Sequence, residues 1–224
     1  SIQGYLNLIG IPYVGSNIYS SVMAQDKVFM KQALSSSGLP VTKFVWFGER
    51  FYRNKKEELF KQIDELKYPL IIKPATLGGC VGIETITQKE EIDSTIERAF
   101  KFDSKVIIEE KIEDLIEYNC SVLLTPNGNI TSEIEEIKTS KEILEYGDKF
   151  LVGEALKDSS LTRTCPAEIS EKLRKEIETY SLAVFKMLNM RGTARIDFLY
   201  DTKKKLLYID EINNIPWCFA HHLW

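Results

Sequence analysis

The chain has 224 residues, of which 29 are basic and 33 acidic, giving a formal net charge of −4. Nucleic-acid-binding proteins usually carry a basic excess, which is absent here. No apolar run approaches the roughly 20 residues of a membrane-spanning helix, and the first residues lack the pattern of a signal peptide. We therefore expect a globular protein that binds neither nucleic acid nor membrane, with one large or two small domains.

The cysteines are scattered and form no C-x-x-C pair; they are Cys80, Cys120, Cys165 and Cys218. This spacing predicts reduced thiols in a cytoplasmic protein rather than a disulfide framework or a zinc site. The first residue is not Met, so we expect a piece excised from a longer chain.

The first forty residues predict a strand, a loop and one helix. Residues 9–16 form an apolar run broken by Gly and Pro, typical of a strand entering a loop. Residues 20–36 predict a single helix, capped by serine and stopped by Gly38. Its apolar positions leave Asp26 and Lys27 exposed.

Alternating apolar patterns predict the elements that follow. Strands are expected at 41–47, 68–74, 83–87, 105–112, 117–125 and 130–138, and helices at 54–67, 87–102 and 170–190. A capping box of Thr87 and Glu90 opens the second of these helices. Residues 148–166 lack periodicity, and a loop of that length is usually functional or disordered. Strands and helices mix without strict alternation and several strands form hairpins, which predicts an α+β fold.

A glycine-rich loop, Ala75–Gly82, joins two of the predicted strands, and Lys73 stands near the end of the first. The loop leads into a strand rather than a helix, so it is not a Walker loop. Glycines let backbone N–H groups approach phosphates closely. The alternative is an ordinary mobile hairpin, although Lys73 favours a binding role.

Residues 195–200 and 207–213 predict an antiparallel hairpin. Strict alternation places Ile209 on the same face as Glu211 and Asn213. The same register sets Asp197 opposite Glu211.

The register also sets Arg195 opposite Asn213. Directly opposed side chains have Cβ atoms about 5 Å apart, and like charges there destabilise the pair. The facing carboxylates of Asp197 and Glu211, beside the Asn213 amide, therefore indicate a hard cation such as Mg²⁺. The alternative is a solvated sheet face on which Arg195 neutralises the acids.

Together these motifs resemble the D-alanine–D-alanine ligases of the ATP-grasp superfamily, over nearly the whole chain. The motifs are Gly10–Ser16, Gln25–Lys27, Ile72–Pro74 with Gly78–Gly82, Val106–Glu110, Arg195–Asp197 and Glu211–Asn213. The resemblance implies an α+β ATP-grasp fold, in which two subdomains grip ATP between antiparallel sheets. It implies a connecting segment at 1–40, a central subdomain at 41–112 and a C-terminal subdomain at 113–224, incomplete at its end.

The resemblance also implies site residues. Those implied to bind ATP are Lys27, Lys73, Gly78, Gly79, Cys80, Val81, Gly82, Glu109, Glu110, Lys111, Ile112 and Glu117. Glu109 would accept the adenine amino group, Glu117 would bind the ribose, and the two lysines would hold the α- and β-phosphates. Those implied to bind Mg²⁺, or Mn²⁺, are Asp197, Glu211 and Asn213.

The implied reaction joins two amino acids at the expense of ATP, through an acyl phosphate, in peptidoglycan synthesis. Arg195 would stabilise the transferring phosphoryl group, and Lys149 would lie near the γ-phosphate. The Trp217 backbone N–H would face an oxyanion. The full-length protein would be a homodimer in the cytoplasm.

Departures from the family pattern fall on the substrate side. Gly79 stands where the family usually carries serine, and Phe150 where it carries tyrosine. Trp217 replaces a glycine, and His222 with Leu223 replaces a Ser-Leu pair. These changes leave the identity of the substrates undetermined. A hydroxy acid is one candidate for the acceptor. His222 contacts a substrate carboxylate or is a plain loop residue.

The family also has an N-terminal domain, on the order of a hundred residues, that contributes to the first amino-acid site. We expect this chain to lack that domain and the family's final helix, and to bind Mg-ATP while ligating poorly or not at all. One alternative is an ATP-grasp ligase for a different amino acid or peptide. Another is a catalytically degenerate nucleotide-binding module.

Overall fold

The protein folds into two antiparallel sheets in a computed structural model that describes residues 2–139 and 161–224. The smaller sheet has the strand order β1-β4-β2-β3. Its strands are β1 (Phe44–Gly48), β2 (Leu70–Pro74), β3 (Glu84–Ile86) and β4 (Lys105–Glu110). The Gly-rich loop joins β2 to β3, as the sequence predicts.

The larger sheet has the order β7-β6-β5-β8-β9. Its strands are β5 (Leu115–Thr125), β6 (Gly128–Thr139), β7 (Leu161–Thr164), β8 (Thr193–Asp201) and β9 (Leu206–Asn213). β7 corrects the expectation of an irregular segment at 148–166 for these four residues, which pair with β6; positions 148–160 lie outside the described residues.

The helices are α1 (Ile2–Leu8), α2 (Ile18–Gln25), α3 (Lys27–Ser36), α4 (Glu49–Asn54), α5 (Lys56–Ile63), α6 (Ile92–Ala99) and α7 (Glu171–Met187). A short 3₁₀ turn spans Lys89–Glu91, and Trp217–Leu223 forms a turn in which Cys218, Phe219 and Ala220 have positive φ. Within the described ranges, no helix is long and apolar enough to cross a membrane.

Each sheet packs its own core, and α3 contacts both sheets. Helices α4–α6 cover the smaller sheet, and α7 covers the larger one. From α3, Met30 and Leu34 join the core of the larger sheet, while Val28 packs with Ala75 and Ile107 of the smaller sheet's region. This helix therefore fixes the position of one sheet relative to the other.

The single helix predicted for residues 20–36 is wrong. Asp26 ends α2 and caps α3, accepting hydrogen bonds from the backbone N–H groups of Val28 and Phe29. Asp26 and Lys27 are buried rather than exposed. A carboxylate is a strong N-cap because it satisfies N–H groups that the helix leaves unpaired. Gly38, with φ of +76°, does follow the helix end as predicted.

Three other predicted elements differ from those in the structure. The run 9–16 is a loop rather than a strand, because Gly10 has φ of +71° and the chain turns back on α1 there. The helix predicted at 54–67 is the shorter α5, and α4, which ends at Asn54, lies before it in residues for which no element was predicted. The capping box lies one residue later than predicted, between Gln88 and Glu91.

The β8–β9 hairpin has the predicted register, with Asp197 opposite Glu211 and Arg195 opposite Asn213. A β-bulge then shifts the pairing, so that Phe198 lies opposite Ile209. Asp210 is the extra residue of the bulge.

The bulge makes the predicted alternation along β9 wrong. Ile209 is fully buried in the core, whereas Asp210 and Glu211 both line the cavity between the sheets. A bulge bends a strand and re-aims its side chains, which strict alternation does not anticipate.

Candidate functional site

A cavity of about 440 Å³ lies between the two sheets. Its walls come from α3, β2, β4 and the Gly-rich loop on one side and from β5, β8 and β9 on the other. The sequence-predicted ATP-binding residues that line it are Lys27, Lys73, Gly79, Cys80, Glu109, Glu110, Lys111, Ile112 and Glu117. Gly78 lines an adjoining cavity with Lys27, Glu211 and Asn213.

The Gly-rich loop is shaped by positive backbone angles. Gly79, Cys80 and Gly82 have φ between +66° and +70°. A Cβ atom at Gly82 would lie 2.8 Å from the Pro74 side chain and 2.9 Å from that of Phe102. Val81 and Gly82 belong to the loop but not to the cavity wall. Glycine at 82 therefore holds the loop against the end of β2.

Four charged side chains of alternating sign form a network at the base of the cavity. The Lys73 Nζ lies 2.7 Å from Asp210 Oδ1 and 3.5 Å from Glu109 Oε1. The Lys31 Nζ lies 2.9 Å from Glu109 Oε2 and 3.7 Å from Asp210 Oδ1. The Thr42 hydroxyl donates a hydrogen bond to Glu109 Oε2.

Sequence reasoning missed Lys31, Thr42 and Asp210. Lys31 lies four residues after Lys27 on the same helix, a spacing that puts both lysines on one face and was a readable signal. Asp210 reaches the cavity only because of the bulge.

The network favours the charged forms of Lys73 and Glu109. Burial alone would lower the pKa of Lys73, but Asp210 and Glu109 outweigh this effect and raise it. Burial alone would raise the pKa of Glu109, but Lys31 and Lys73 lower it. Burial lowers the pKa of Lys27, and the like charge of Lys73 lowers it further, against an opposing effect of Glu211. The side chains of Lys27 and Lys73 thus face a cavity that can receive an anion.

One buried oxygen in this cavity has no hydrogen bond. Glu109 Oε1 accepts none from the described residues, although Glu109 is only 1% exposed. Buried polar atoms are nearly always hydrogen-bonded, so such an atom in a cavity wall suits a ligand donor. The Lys27 ammonium, in contrast, donates to the Leu77 carbonyl in the Gly-rich loop. The cavity therefore offers an acceptor for an amino group and cations for phosphates.

The hairpin carries a bidentate ion pair. Arg195 Nε and Nη2 lie 2.7 and 2.8 Å from the two carboxylate oxygens of Asp197. The Asn213 amide donates to Asp197 Oδ2 at 2.9 Å. Burial opposes the Arg195 charge, but Asp197 outweighs it and raises the pKa of the guanidinium.

The donor set still suits a hard cation. Asp197, Glu211 and Asn213 are adjacent on the ladder and all offer oxygen, provided that Asn213 turns its amide. Among the described residues, no three His, Cys, Asp or Glu side chains gather closely enough to hold a metal by themselves. A cation here would therefore need the asparagine, and it would share Asp197 with Arg195.

The C-terminal turn lies over the same face of the larger sheet. The His222 Nε2 is 3.6 Å from Glu135 Oε2, which also accepts a hydrogen bond from the Asn119 amide at 3.2 Å. The strand registers place Glu135, Asn119 and Asp197 in one row across β6, β5 and β8. The structure thus brings His222 to the side of the predicted metal site.

The other predicted substrate-side residues are placed differently. Trp217 is 51% exposed at the start of the C-terminal turn, and Leu223 is buried. Lys149 and Phe150 lie outside the described residues.

Two antiparallel sheets with a lysine-lined cavity between them define the ATP-grasp fold, and solved structures agree. VanG D-Ala:D-Ser ligase from Enterococcus faecalis superposes with a TM-score of 0.82 at 32% identity, over 99% of this chain and 61% of that one. A D-alanine–D-alanine ligase from Bacillus anthracis complexed with ATP gives 0.75 at 27% identity, over 96% and 63%. The predicted α+β ATP-grasp fold is confirmed.

The chain belongs to the family described as D-ala D-ala ligase C-terminus, whose model matches residues 33–222. The D-alanine–D-alanine ligase of Thermosipho africanus is 38% identical over 224 residues, all of this chain and 59% of that protein. That of Thermoanaerobacter sp. is 38% identical over 217 residues, 96% of this chain and 58% of that protein. The predicted resemblance is confirmed, and the chain spans less than two thirds of these relatives.

Proposed function

We propose that the chain is the ATP-binding part of an ATP-dependent carboxylate–amine ligase of the D-alanine–D-alanine ligase type. The observation that carries the proposal is the cavity between the sheets. It combines the open acceptor of Glu109 with the ammonium groups of Lys27 and Lys73 under a glycine-rich loop. Family membership and the ATP complex of the Bacillus anthracis ligase support it.

In this proposal, each side of the cavity binds one part of the nucleotide. Glu109 Oε1 accepts the adenine amino group, Lys111 and Ile112 contact the base through their backbone, and Glu117 binds the ribose. Lys27 and Lys73 neutralise the phosphates, and the Gly-rich loop covers them with backbone N–H groups. These groups are fixed before the nucleotide arrives, so little reorganisation is needed.

Asp197, Glu211 and Asn213 would hold Mg²⁺, or Mn²⁺. Bound there, the cation would neutralise charge on the transferring phosphoryl group. Arg195 already lies beside Asp197, so its guanidinium would stabilise the same charge. In the first step an amino-acid carboxylate would react with ATP. Both substrates are anions, which explains the concentration of cationic groups.

The substrates are amino acids, and the acceptor side is where this chain differs most. His222, Glu135 and Asn119 form a polar group next to the predicted metal site. This observation favours a second candidate, a ligase of the same chemistry for an acceptor other than D-alanine. The Trp217 backbone N–H would bind the oxyanion, and Lys149 would lie near the γ-phosphate.

We place this activity in the cytoplasm, where ATP is available and thiols stay reduced. The class of pathway is peptidoglycan synthesis in cell-wall biogenesis, and the full-length protein would act as a homodimer.

The test is ADP release with a panel of D- and L-amino acids, alongside ATP binding by calorimetry. We expect Mg-dependent ATP binding by this chain, and ADP release by a protein that includes the segments present in its relatives; Asp197→Ala should abolish the ADP release. Binding without turnover by any amino acid, in a protein that includes the segments present in its relatives, would instead indicate a degenerate nucleotide-binding module. Absence of ATP binding would contradict both.

A further inference from the structure

Lys31 is a lysine with no exposed surface that faces the underside of the nucleotide cavity. Its ammonium contacts Glu109 Oε2 at 2.9 Å and the Thr42 hydroxyl at 3.1 Å, and it lies 3.7 Å from Asp210. Burying an ammonium costs several kcal/mol even when it is paired, and an apolar residue often costs less. A buried lysine at this position therefore calls for a role beyond packing.

The two oxygens of Glu109 are in different situations. Oε2 is saturated by Lys31 and Thr42. Oε1 accepts no hydrogen bond from the described residues and stands 3.5 Å from the Lys73 ammonium, slightly too far for a good one. Lys73 instead binds Asp210 at 2.7 Å.

Loss of Lys31 would change this division. Glu109 is buried and would be left with Lys73 as its nearest cation. An uncompensated buried carboxylate is strongly unfavourable, so the Lys73 ammonium would move the short distance to Oε1. That movement would occupy the acceptor and withdraw the ammonium from an incoming phosphate.

We propose that Lys31 is a positioning residue, which anchors one oxygen of Glu109 so that the other stays open to a 6-amino purine and Lys73 stays available to the phosphates. The inference rests on the proposed ATP site. It assigns Lys31 a part in both base selection and phosphate binding, although Lys31 touches neither group.

The test compares ATP with inosine triphosphate, which carries a carbonyl in place of the amino group. A hydrogen bond to a charged group is worth about 1.5–3 kcal/mol, so the wild-type protein should prefer ATP by roughly tenfold or more. Lys31→Met should reduce this preference severalfold and raise the Kd for ATP. Lys31→Arg keeps the charge and should retain the preference. Lys55→Met, which removes an exposed lysine, is the control.

A purely structural role would not give this pattern. If Lys31→Met is folded by circular dichroism and keeps the wild-type ATP preference, the inference is wrong. If wild-type protein binds neither nucleotide, the proposed function itself fails, which is a distinct result.

A second comparison holds even if Lys31→Met alone does not fold. In a Glu109→Gln background the Glu109 carboxylate no longer competes with Asp210 for Lys73, so adding Lys31→Met should leave the Kd for ATP unchanged. A further severalfold loss in that background would overturn the proposal, because Lys31 would then act independently of Glu109.

Discussion

Lys73 and Asp210 form an ion pair of 2.7 Å across the cavity, joining the smaller sheet to the larger one. The partners are 137 residues apart in the sequence. Asp210 is available to Lys73 because the bulge in β9 turns it out of the core. The pair places a negative charge next to a cation that, in the proposed function, binds phosphate.

Asp210→Asn should therefore strengthen ATP binding. The amide keeps the shape of the carboxylate but neither repels the phosphates nor neutralises Lys73. A unit charge at this range in a partly buried site contributes about 1 kcal/mol or more, which corresponds to roughly fivefold in Kd. Calorimetric titration measures the change. Asp114→Asn, at an exposed ion pair with Lys203, should leave the Kd unchanged; weaker binding by Asp210→Asn would show that the carboxylate helps to hold the nucleotide.

Some residues of this site could be predicted from the sequence and others could not. The difference is whether a local sequence pattern or only the tertiary structure positions the residue. The opposed pair Asp197 and Glu211 follows from a hairpin with a clear turn, because a register fixes which side chains face each other. Lys73 and Glu109 were found because short motifs mark them. Asp210 escaped because one extra residue in a strand inverts the alternation beyond it, and no local pattern announced the bulge.

The break between α2 and α3 escaped for a related reason. Asp26 sits among helix-forming residues, and its capping role depends on the burial of its carboxylate near Lys105. Such tertiary contacts override local propensity. The i, i+4 spacing places Lys31 on the same helix face as Lys27, but only the fold shows that it lies beneath Glu109.

Gly82→Ala should destabilise the Gly-rich loop. The new Cβ would combine an unfavourable φ of +70° with contacts of 2.8 and 2.9 Å to Pro74 and Phe102. Strain of this kind costs about 1–3 kcal/mol, visible as a lower midpoint in thermal unfolding. Gly10→Ala separates the two effects, because Gly10 has φ of +71° with open space around it. Equal losses in the two variants would mean that the contacts contribute nothing.

The alkaline limit of stability should depend on Cys120. Burial in the core of the larger sheet raises the pKa of this thiol from 9.0 to about 11. Below pH 9 the thiol is neutral in both states and its contribution is fully present. Between pH 9 and 11 the unfolded thiol ionises first, so the free energy of unfolding falls by about 1.4 kcal/mol per pH unit.

Cys120→Ala should flatten this decline, at some cost in stability at neutral pH. Denaturant unfolding at pH 8, 9.5 and 11 measures both effects. Cys218→Ala, at an exposed cysteine, should keep the wild-type slope. An unchanged slope in Cys120→Ala would show that other groups set the alkaline limit.

Arg195→Met should make stability depend on divalent cations. Arg195 and the Asn213 amide donate to the nearly buried carboxylate of Asp197. Of these two described partners, the substitution leaves the Asn213 amide. Removing one partner of a buried ion pair costs about 3–5 kcal/mol. Mg²⁺ can supply the missing positive charge, since it binds carboxylate oxygens. We expect the variant to unfold at a lower temperature than wild type and to recover several degrees in millimolar Mg²⁺.

The double variant Arg195→Met with Asp197→Asn provides the matched control. It lacks both charges, so Mg²⁺ should not raise its unfolding temperature, and its shape is otherwise the same. ADP release should be lost in both variants, because the proposed function uses Arg195 and Asp197 together. If Mg²⁺ stabilises the double variant as much as the single one, the cation binds elsewhere, and the assignment of Asp197 as a ligand is wrong.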